Sequence, residues 1–282
     1  VTTANNNTAL GYLSLKTTTT GNSNTATGFC SLALNTTGEC NVANGYKALS
    51  ANTTADNNTA MGFGALCSNT TGNTITSIGF ESLITSTTAH ANTAVGGKTL
   101  RLTTTGGYNT AMGNEALCSN TTGETNVAIG FRSLKSNTTA SNNTAVGLCS
   151  LYANTTGTTN TAVGYLTLKL NTTGGDNTAI GKESMDANTT GSNNVAVGKG
   201  SLSSNTTADN NTAVGFNSLS ANTTGASNLA MGRDALKLNT TASRGTAVGR
   251  CALVTQQLVT FLYHLQQQVL VIMYWGYKLE IV

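Results

Sequence analysis

The chain has 282 residues, of which only 9% are charged, 5% are aromatic and none is proline, and its formal net charge is +3. Disordered segments usually have a high net charge and are rich in Pro, Glu and Lys, so this composition argues against disorder. The 14 Lys and Arg residues are scattered and form no basic stripe, which argues against nucleic acid as a partner. No apolar run reaches the roughly 18–20 residues of a membrane span.

A 17-residue repeat begins at Asn7 and continues through fifteen copies without insertion or deletion. Every copy has a Gly at one position, from Gly11 to Gly249, and an Ala two residues earlier in all but the copy that has Ser77. A Leu follows four residues after the Gly in all but the copy that has Met185. A unit of this length cannot be a helical hairpin repeat, which needs about 33 residues or more.

The first predicted element of each copy is a short β-strand ending at the Gly, as in Thr144-Ala145-Val146-Gly147, where polarity alternates and β-branched residues are frequent. The second is the paired-threonine segment, predicted to be a strand that leads into a turn. Two short strands and two turns fit in 17 residues, so each copy is expected to form one coil. Fifteen coils stacked at about 4.8 Å give a rod roughly 70 Å long. We therefore predict an all-β, parallel β-solenoid over residues 1–253.

Two repeated positions have a specific expected role along the rod. The Gly in every copy is expected to mark either a positive φ angle or a tight contact between neighbouring coils. Asparagines such as Asn126, Asn143 and Asn160 recur every 17 residues, and their side-chain amides are expected to bond along the rod as stacked Asn ladders do.

The residue before each Gly is apolar in all but two copies, which have Thr27 and Asn44. It must point to the opposite face from the neighbouring Ala. If the Ala lies inside the coil, these side chains form an exposed stripe for self-association; the alternative places the stripe inside and the Ala outside. The predicted stripe consists of Leu10, Met61, Ile78, Val95, Met112, Ile129, Val146, Val163, Ile180, Val197, Val214, Met231 and Val248.

The repeat resembles a known family. Asn126-Val127-Ala128-Ile129-Gly130-Phe131-Arg132-Ser133-Leu134 is similar to the core motif in the head repeats of trimeric autotransporter adhesins, and related arrays look like those of phage-type fibres and bacterial surface proteins. The resemblance spans residues 2–253 and implies a left-handed β-roll, a side-by-side homotrimer and a role in adhesion or as a spacer. The repeat is longer than the usual adhesin unit, and no coiled-coil stalk or membrane anchor follows it here, so the mode of attachment stays open.

Eleven Asn-Thr-Thr triplets satisfy the rule for N-glycosylation, and Asn6, Asn57, Asn142 and Asn210 satisfy it too. These asparagines are candidate glycan sites, but the same residues also suit turns and ladders, with the glycosylation motif as a by-product. The triplets begin at Asn35, Asn52, Asn69, Asn120, Asn137, Asn154, Asn171, Asn188, Asn205, Asn222 and Asn239.

No pattern of catalytic or metal-binding residues is present. The six cysteines have no Cys-x-x-Cys spacing, so a zinc site is not expected, and Cys67 and Cys118, which share a repeat position, are three coils apart. His90 and His264 are isolated, and the acidic residues are scattered over predicted turns. We therefore expect a protein without enzymatic activity or cofactor.

The repeat pattern stops after Leu253, and residues 254–282 are rich in Gln and large apolar side chains. This tail could form a short amphipathic helix and a strand that cap the rod or join it to a neighbour. Alternatively, it is an artefact of a shifted reading frame or of sequence assembly, because the change in composition is abrupt. At the other end the chain begins inside a repeat. Since an open solenoid end is a template for stacking, this predicts either that the natural chain is longer or that rods join end to end into filaments.

These observations predict a structural protein of an extracellular or surface fibre that acts as a shaft, spacer or adhesin and associates with itself. Exposed aromatic residues could serve as ligand contacts of an adhesin, or simply cover the coils: Tyr12, Phe29, Tyr46, Phe63, Phe80 and Phe131. An ice-binding solenoid is the alternative function, since threonine ladders could present a regular array of hydroxyl groups. Because adjacent threonines alternate between faces, only one of each pair can lie on a given surface.

Overall fold

The structure is a computed structural model that describes residues 3–253, so the expectations for residues 254–282 lie outside its described part. Each 17-residue copy contributes one three-residue strand, and the strands pair in chain order into a single parallel sheet. The strands are β1 Thr8–Leu10, β2 Thr25–Thr27, β3 Val42–Asn44, β4 Thr59–Met61, β5 Thr76–Ile78, β6 Thr93–Val95, β7 Thr110–Met112, β8 Val127–Ile129, β9 Thr144–Val146, β10 Thr161–Val163, β11 Thr178–Ile180, β12 Val195–Val197, β13 Thr212–Val214, β14 Leu229–Met231 and β15 Thr246–Val248.

Every strand pair aligns equivalent positions of neighbouring copies, as where Ala145 of β9 lies beside Ala162 of β10. One repeat therefore makes one coil, and the predicted parallel β-solenoid is confirmed. No helix occurs in the described residues.

The prediction of a second strand in each coil is wrong. The paired-threonine segment forms a bend, because its backbone N–H groups do not alternate between neighbours as those of a strand do. In one coil the N–H groups of Thr36, Thr37 and Gly38 all point to the carbonyl oxygen of Thr53 in the next coil, at 2.9, 3.2 and 3.4 Å. The segment is still bonded to its neighbouring coil, but by converging bonds.

Each coil turns its corners at positions of positive φ. The Leu of each copy, or Met185, has φ between 43° and 53°, although large side chains rarely adopt this left-handed conformation. Two more positions per coil share it, as with Cys149 and Thr159 at 52° and 59°. Such conformations cost about 1–3 kcal/mol each and persist only where the surroundings fix them. The buried Leu supplies that fixation by filling the core.

The Gly of each copy meets both conditions that were expected of it. Its φ lies between 119° and 140° in all fifteen coils, a region that side chains rarely adopt. In addition, a Cβ atom on Gly62 would lie 2.6 Å from the carbonyl oxygen of Gly79 in the next coil. The glycines thus line up along one side of the rod with their backbones in contact.

The core is a continuous column of small and medium side chains. The Ala at the centre of each strand from β2 to β14, or Ser77 in β5, is fully buried, as are the Leu residues from Leu32 to Leu236. This confirms the arrangement with Ala inside and excludes the alternative with the stripe inside. One Leu and one Ala in each coil are a small apolar core, and the remaining interior positions hold asparagines and small residues.

Candidate interaction surface

The outward face of the sheet is a two-column surface, which we call the sheet face. Its first column is the first residue of each strand, a Thr in eleven of fifteen strands, and its second column is the predicted apolar stripe. Stripe side chains are exposed or half-buried, for example Met61 at 41% and Val248 at 66% exposure. Since parallel strands in register carry both columns, the sheet face is continuous over all fifteen coils.

Two asparagine columns run through the interior of the rod, and the predicted bonding of amides between coils is confirmed. In the first column, which precedes the strands, the backbone N–H of Asn143 donates to Oδ1 of Asn126 at 3.0 Å. Its own Nδ2 donates to the carbonyl oxygen of Gly157 at 3.0 Å. With two exceptions, Ile75 and Gly245, an Asn occupies this position in every coil.

The second asparagine column is formed by the Asn-Thr-Thr triplets. Nδ2 of Asn154 donates to Oδ1 of Asn137 at 3.1 Å and to the carbonyl oxygen of Gly157 at 2.9 Å. Oδ1 of Asn154 then accepts a bond from Nδ2 of Asn171 at 2.9 Å. Because the Gly157 oxygen also accepts the amide of Asn143, the two columns are joined inside the coil.

This burial argues against the triplet asparagines as glycan sites. All eleven side chains are between 0% and 3% exposed, and Nδ2, the atom to which a glycan would be attached, already donates to two acceptors in coils such as that of Asn154. A glycan at this atom would prevent the coil from closing. By contrast, the other four candidates, Asn6, Asn57, Asn142 and Asn210, are exposed at an equivalent turn position.

The paired threonines have two different environments. The hydroxyl of the first threonine in each pair bonds to the next coil, as where Thr155 Oγ1 donates to the carbonyl oxygen of Thr172 at 3.0 Å. The first such donor is Thr19 and the last is Thr223, which donates to Thr240. The second, for example Thr156, is exposed in every coil. The paired threonines therefore present one exposed hydroxyl column, as the alternation of faces predicts.

The residue directly after each Gly is exposed and variable. In five consecutive coils it is aromatic, and the rings of Tyr12, Phe29, Tyr46, Phe63 and Phe80 stack with centroids 5.0–5.6 Å apart. We call these five side chains the aromatic ladder. Further along the rod, aromatic residues at this position are separate and have cations nearby, as Arg132 lies 4.8 Å from the ring of Phe131.

Charged groups form small surface clusters. One of two three-residue clusters contains Glu115, whose carboxylate lies 2.8 Å from Nε of Arg132 and 2.9 Å from Nζ of Lys135; the other joins Asp234 to Arg233 and Lys237. The hydrogen bond from Lys135 is the main cause that lowers the pKa of Glu115. Burial raises the pKa of the Cys118 thiol, so this group is no activated nucleophile. All six cysteines are free thiols.

Within residues 3–253 no helix has the length and hydrophobicity needed to cross a membrane. Comparison with known proteins finds no family model and no curated protein that matches this chain.

Proposed function

We propose that the chain is the shaft or spacer of an extracellular or surface fibre and that it associates with further copies of itself through the sheet face. The observation that carries this proposal is the apolar stripe, with 13 of 15 positions occupied by Leu, Val, Ile or Met on an outward face and no interruption from Met61 to Val248. Exposed apolar patches that are this continuous usually mark contacts with another protein. The rigid, unbranched stack of coils suits a spacer.

Association would also supplement the small core. Covering a Val or Ile side chain is worth about 1.5–3 kcal/mol, and each coil holds only one Leu and one Ala as its regular apolar core. The left-handed β-roll and the number of three chains come from the resemblance to trimeric adhesins, and so does the surface location. We retain them as parts of the proposal.

Analytical ultracentrifugation of the purified chain tests the proposal. We expect the wild type to sediment as a trimer and a Val163→Asp, Val197→Asp double variant to sediment as a monomer, because a carboxylate on the sheet face would be buried in the contact. The matched control places the same charges on the exposed threonine column, as Thr156→Asp and Thr190→Asp, and should leave the trimer intact. A wild-type chain that remains monomeric at micromolar concentration would refute self-association.

An ice-binding function is the second candidate, favoured by one observation on the sheet face rather than by the paired threonines. Eleven of fifteen strands begin with an outward Thr, so a row of hydroxyl groups lies beside a row of apolar side chains on a regular sheet. Thermal hysteresis of the wild type, lost in a variant with Thr144, Thr161 and Thr178 changed to Lys, would support it. Absence of hysteresis in the wild type would eliminate it.

A further inference from the structure

The aromatic ladder is not required to build the rod. The same position in other coils holds Gly97, Asn114, Lys182 and Lys199, and those coils have the same strands and pairing as the first five. The five rings are 40–68% exposed. Since the coils close equally well without an aromatic residue, five aromatic residues in the first five described coils point to a role on the surface.

The rings are stacked along the rod but are not in close contact over their whole faces. Adjacent rings are almost parallel, with interplanar angles of 9–20°, but their centroids are 5.0–5.6 Å apart. Carbon atoms in contact approach to about 3.5–4.0 Å, so each ring is either displaced sideways or separated from the next. The solvent-exposed part of the aromatic ladder therefore forms an aromatic platform that repeats once per coil along the rod axis.

The surroundings of the platform are mainly uncharged and include polar groups. The two polar exceptions to the apolar stripe, Thr27 and Asn44, belong to the same coils as Phe29 and Tyr46 and lie two residues before them. Within the described residues the only cation placed over one of these five rings is Lys47, at 5.4 Å from the Tyr46 centroid. The apolar stripe is thus interrupted by hydrogen-bonding side chains where the rings are continuous.

These features together specify a ligand. It must have apolar ring faces that repeat at nearly the spacing of one coil, and hydroxyl groups that bond to Thr and Asn side chains. It needs no net charge, because the platform offers a polyanion little attraction. An extended, neutral, β-linked polysaccharide has all three properties, since the faces of its sugar rings are lined by C–H groups and its edges by hydroxyl groups.

We propose that the aromatic ladder is a binding site for a neutral β-linked polysaccharide lying along the rod axis. Tyr12, Phe29, Tyr46, Phe63 and Phe80 provide the stacking surface, and Thr27 and Asn44 provide hydrogen bonds at its side. The aromatic ladder itself follows the Gly and is not part of the sheet face, whereas Thr27 and Asn44 belong to its second column, in the two coils where the apolar stripe is interrupted. The site therefore needs no contact between copies.

Retention of the full chain on insoluble cellulose and chitin tests the site. The wild type should be retained, and the triple variant Phe29→Ser, Tyr46→Ser, Phe63→Ser should bind at least about tenfold more weakly, a loss of about 1.4 kcal/mol or more. The matched control removes the separate aromatic residues at the same repeat position, as Phe131→Ser, Tyr165→Ser, Phe216→Ser, and should retain wild-type binding. Circular dichroism should show the same fold for all three proteins.

Several results would overturn the site. These are a wild type that passes through both matrices, a ladder variant retained as well as the wild type, or equal losses in the ladder and control variants. If the ladder variant instead changes the sedimentation of the chain while wild-type binding to cellulose and chitin is absent, the rings serve contacts between copies. Retention on an anionic polysaccharide alone would show that the basic residues bind the ligand, against this proposal.

Discussion

The strand side of the rod and its paired-threonine side both connect neighbouring coils, but they do so by different hydrogen bonds. On the strand side, backbone bonds between in-register strands connect the coils, and the outward positions vary among Thr, Val, Ile, Leu, Met and Asn. On the paired-threonine side there is no strand, and in most coils two or three backbone N–H groups converge on one carbonyl oxygen. There, buried Asn amides and Thr hydroxyls supply further bonds between coils.

This difference explains which residues repeat most strictly. Where backbone hydrogen bonds connect the coils, only the inward Ala and the Gly that contacts the next coil keep the same identity. Where side-chain hydrogen bonds connect the coils, the fold requires particular side chains, and so Asn and Thr recur. Strict repetition therefore indicates where a side chain or a missing side chain connects coils. Four substitutions test this interpretation.

The largest effect is expected on the strand side, from Gly62→Ala. The new Cβ atom would lie 2.6 Å from the Gly79 oxygen, at a φ of 129°, so the free energy of unfolding should fall by about 3 kcal/mol or more. Gly64→Ala is the control, because φ there is 64° and the nearest atom is Ile84 Cδ1 at 3.5 Å; we expect a loss of about 1 kcal/mol. Chemical denaturation followed by circular dichroism measures both, and equal losses would contradict the role of the contact.

On the other side, Asn154→Ala should break the second asparagine column. It removes two donated bonds and one accepted bond and leaves Nδ2 of Asn171 with one of its two acceptors, the carbonyl oxygen of Gly174. We expect a loss of about 2–3 kcal/mol in the free energy of unfolding. Asn114→Ala, at an exposed position, should change it by less than about 0.5 kcal/mol. Two equally mild effects would show that the column is not needed for stability.

A smaller effect should separate the two threonines of a pair. Thr155→Val removes a hydroxyl that donates to the next coil at 3.0 Å and should cost about 1 kcal/mol. Thr156→Val changes an exposed side chain and should have an effect within about 0.5 kcal/mol. The denaturation midpoints of the two variants measure this difference. A larger loss for Thr156→Val than for Thr155→Val would mean that the exposed threonine column has a structural role.

The smallest expected effect is an increase in the free energy of unfolding. Ser86 replaces an Asn of the second column, and its buried hydroxyl has no hydrogen-bond partner among the described residues. Ser86→Asn should restore the bonds of the neighbouring coils and stabilise the rod by about 1 kcal/mol. Ser86→Ala, which only removes the unpaired hydroxyl, should give a smaller gain. A destabilised Ser86→Asn variant would indicate that this coil is too tight for the amide.

The sequence alone was sufficient for the architecture. An uninterrupted period of 17 residues allows one coil per copy, alternation within Thr-Ala-Val-Gly locates the strand, and the Ala on one face requires the next residue to lie on the other. These are local consequences of backbone geometry and of the two-residue period of a strand. The role of the Gly could be anticipated for the same reason, since a positive φ angle and a close contact between backbones both favour a residue without a side chain.

Only the tertiary structure decided what the Asn-Thr-Thr triplets do. Their composition suits a strand, a turn and a glycan site equally well, because Asn and Thr have few local preferences that separate these roles. Contact with the coils above and below selects among them: it buries Asn154 within reach of Asn137 and Asn171 and directs the N–H groups of the two following threonines to the carbonyl oxygen of Thr172. The positive φ of the buried Leu residues likewise arises because each Leu fills the core at a corner of the coil. This requirement depends on the closed coil and not on the local sequence.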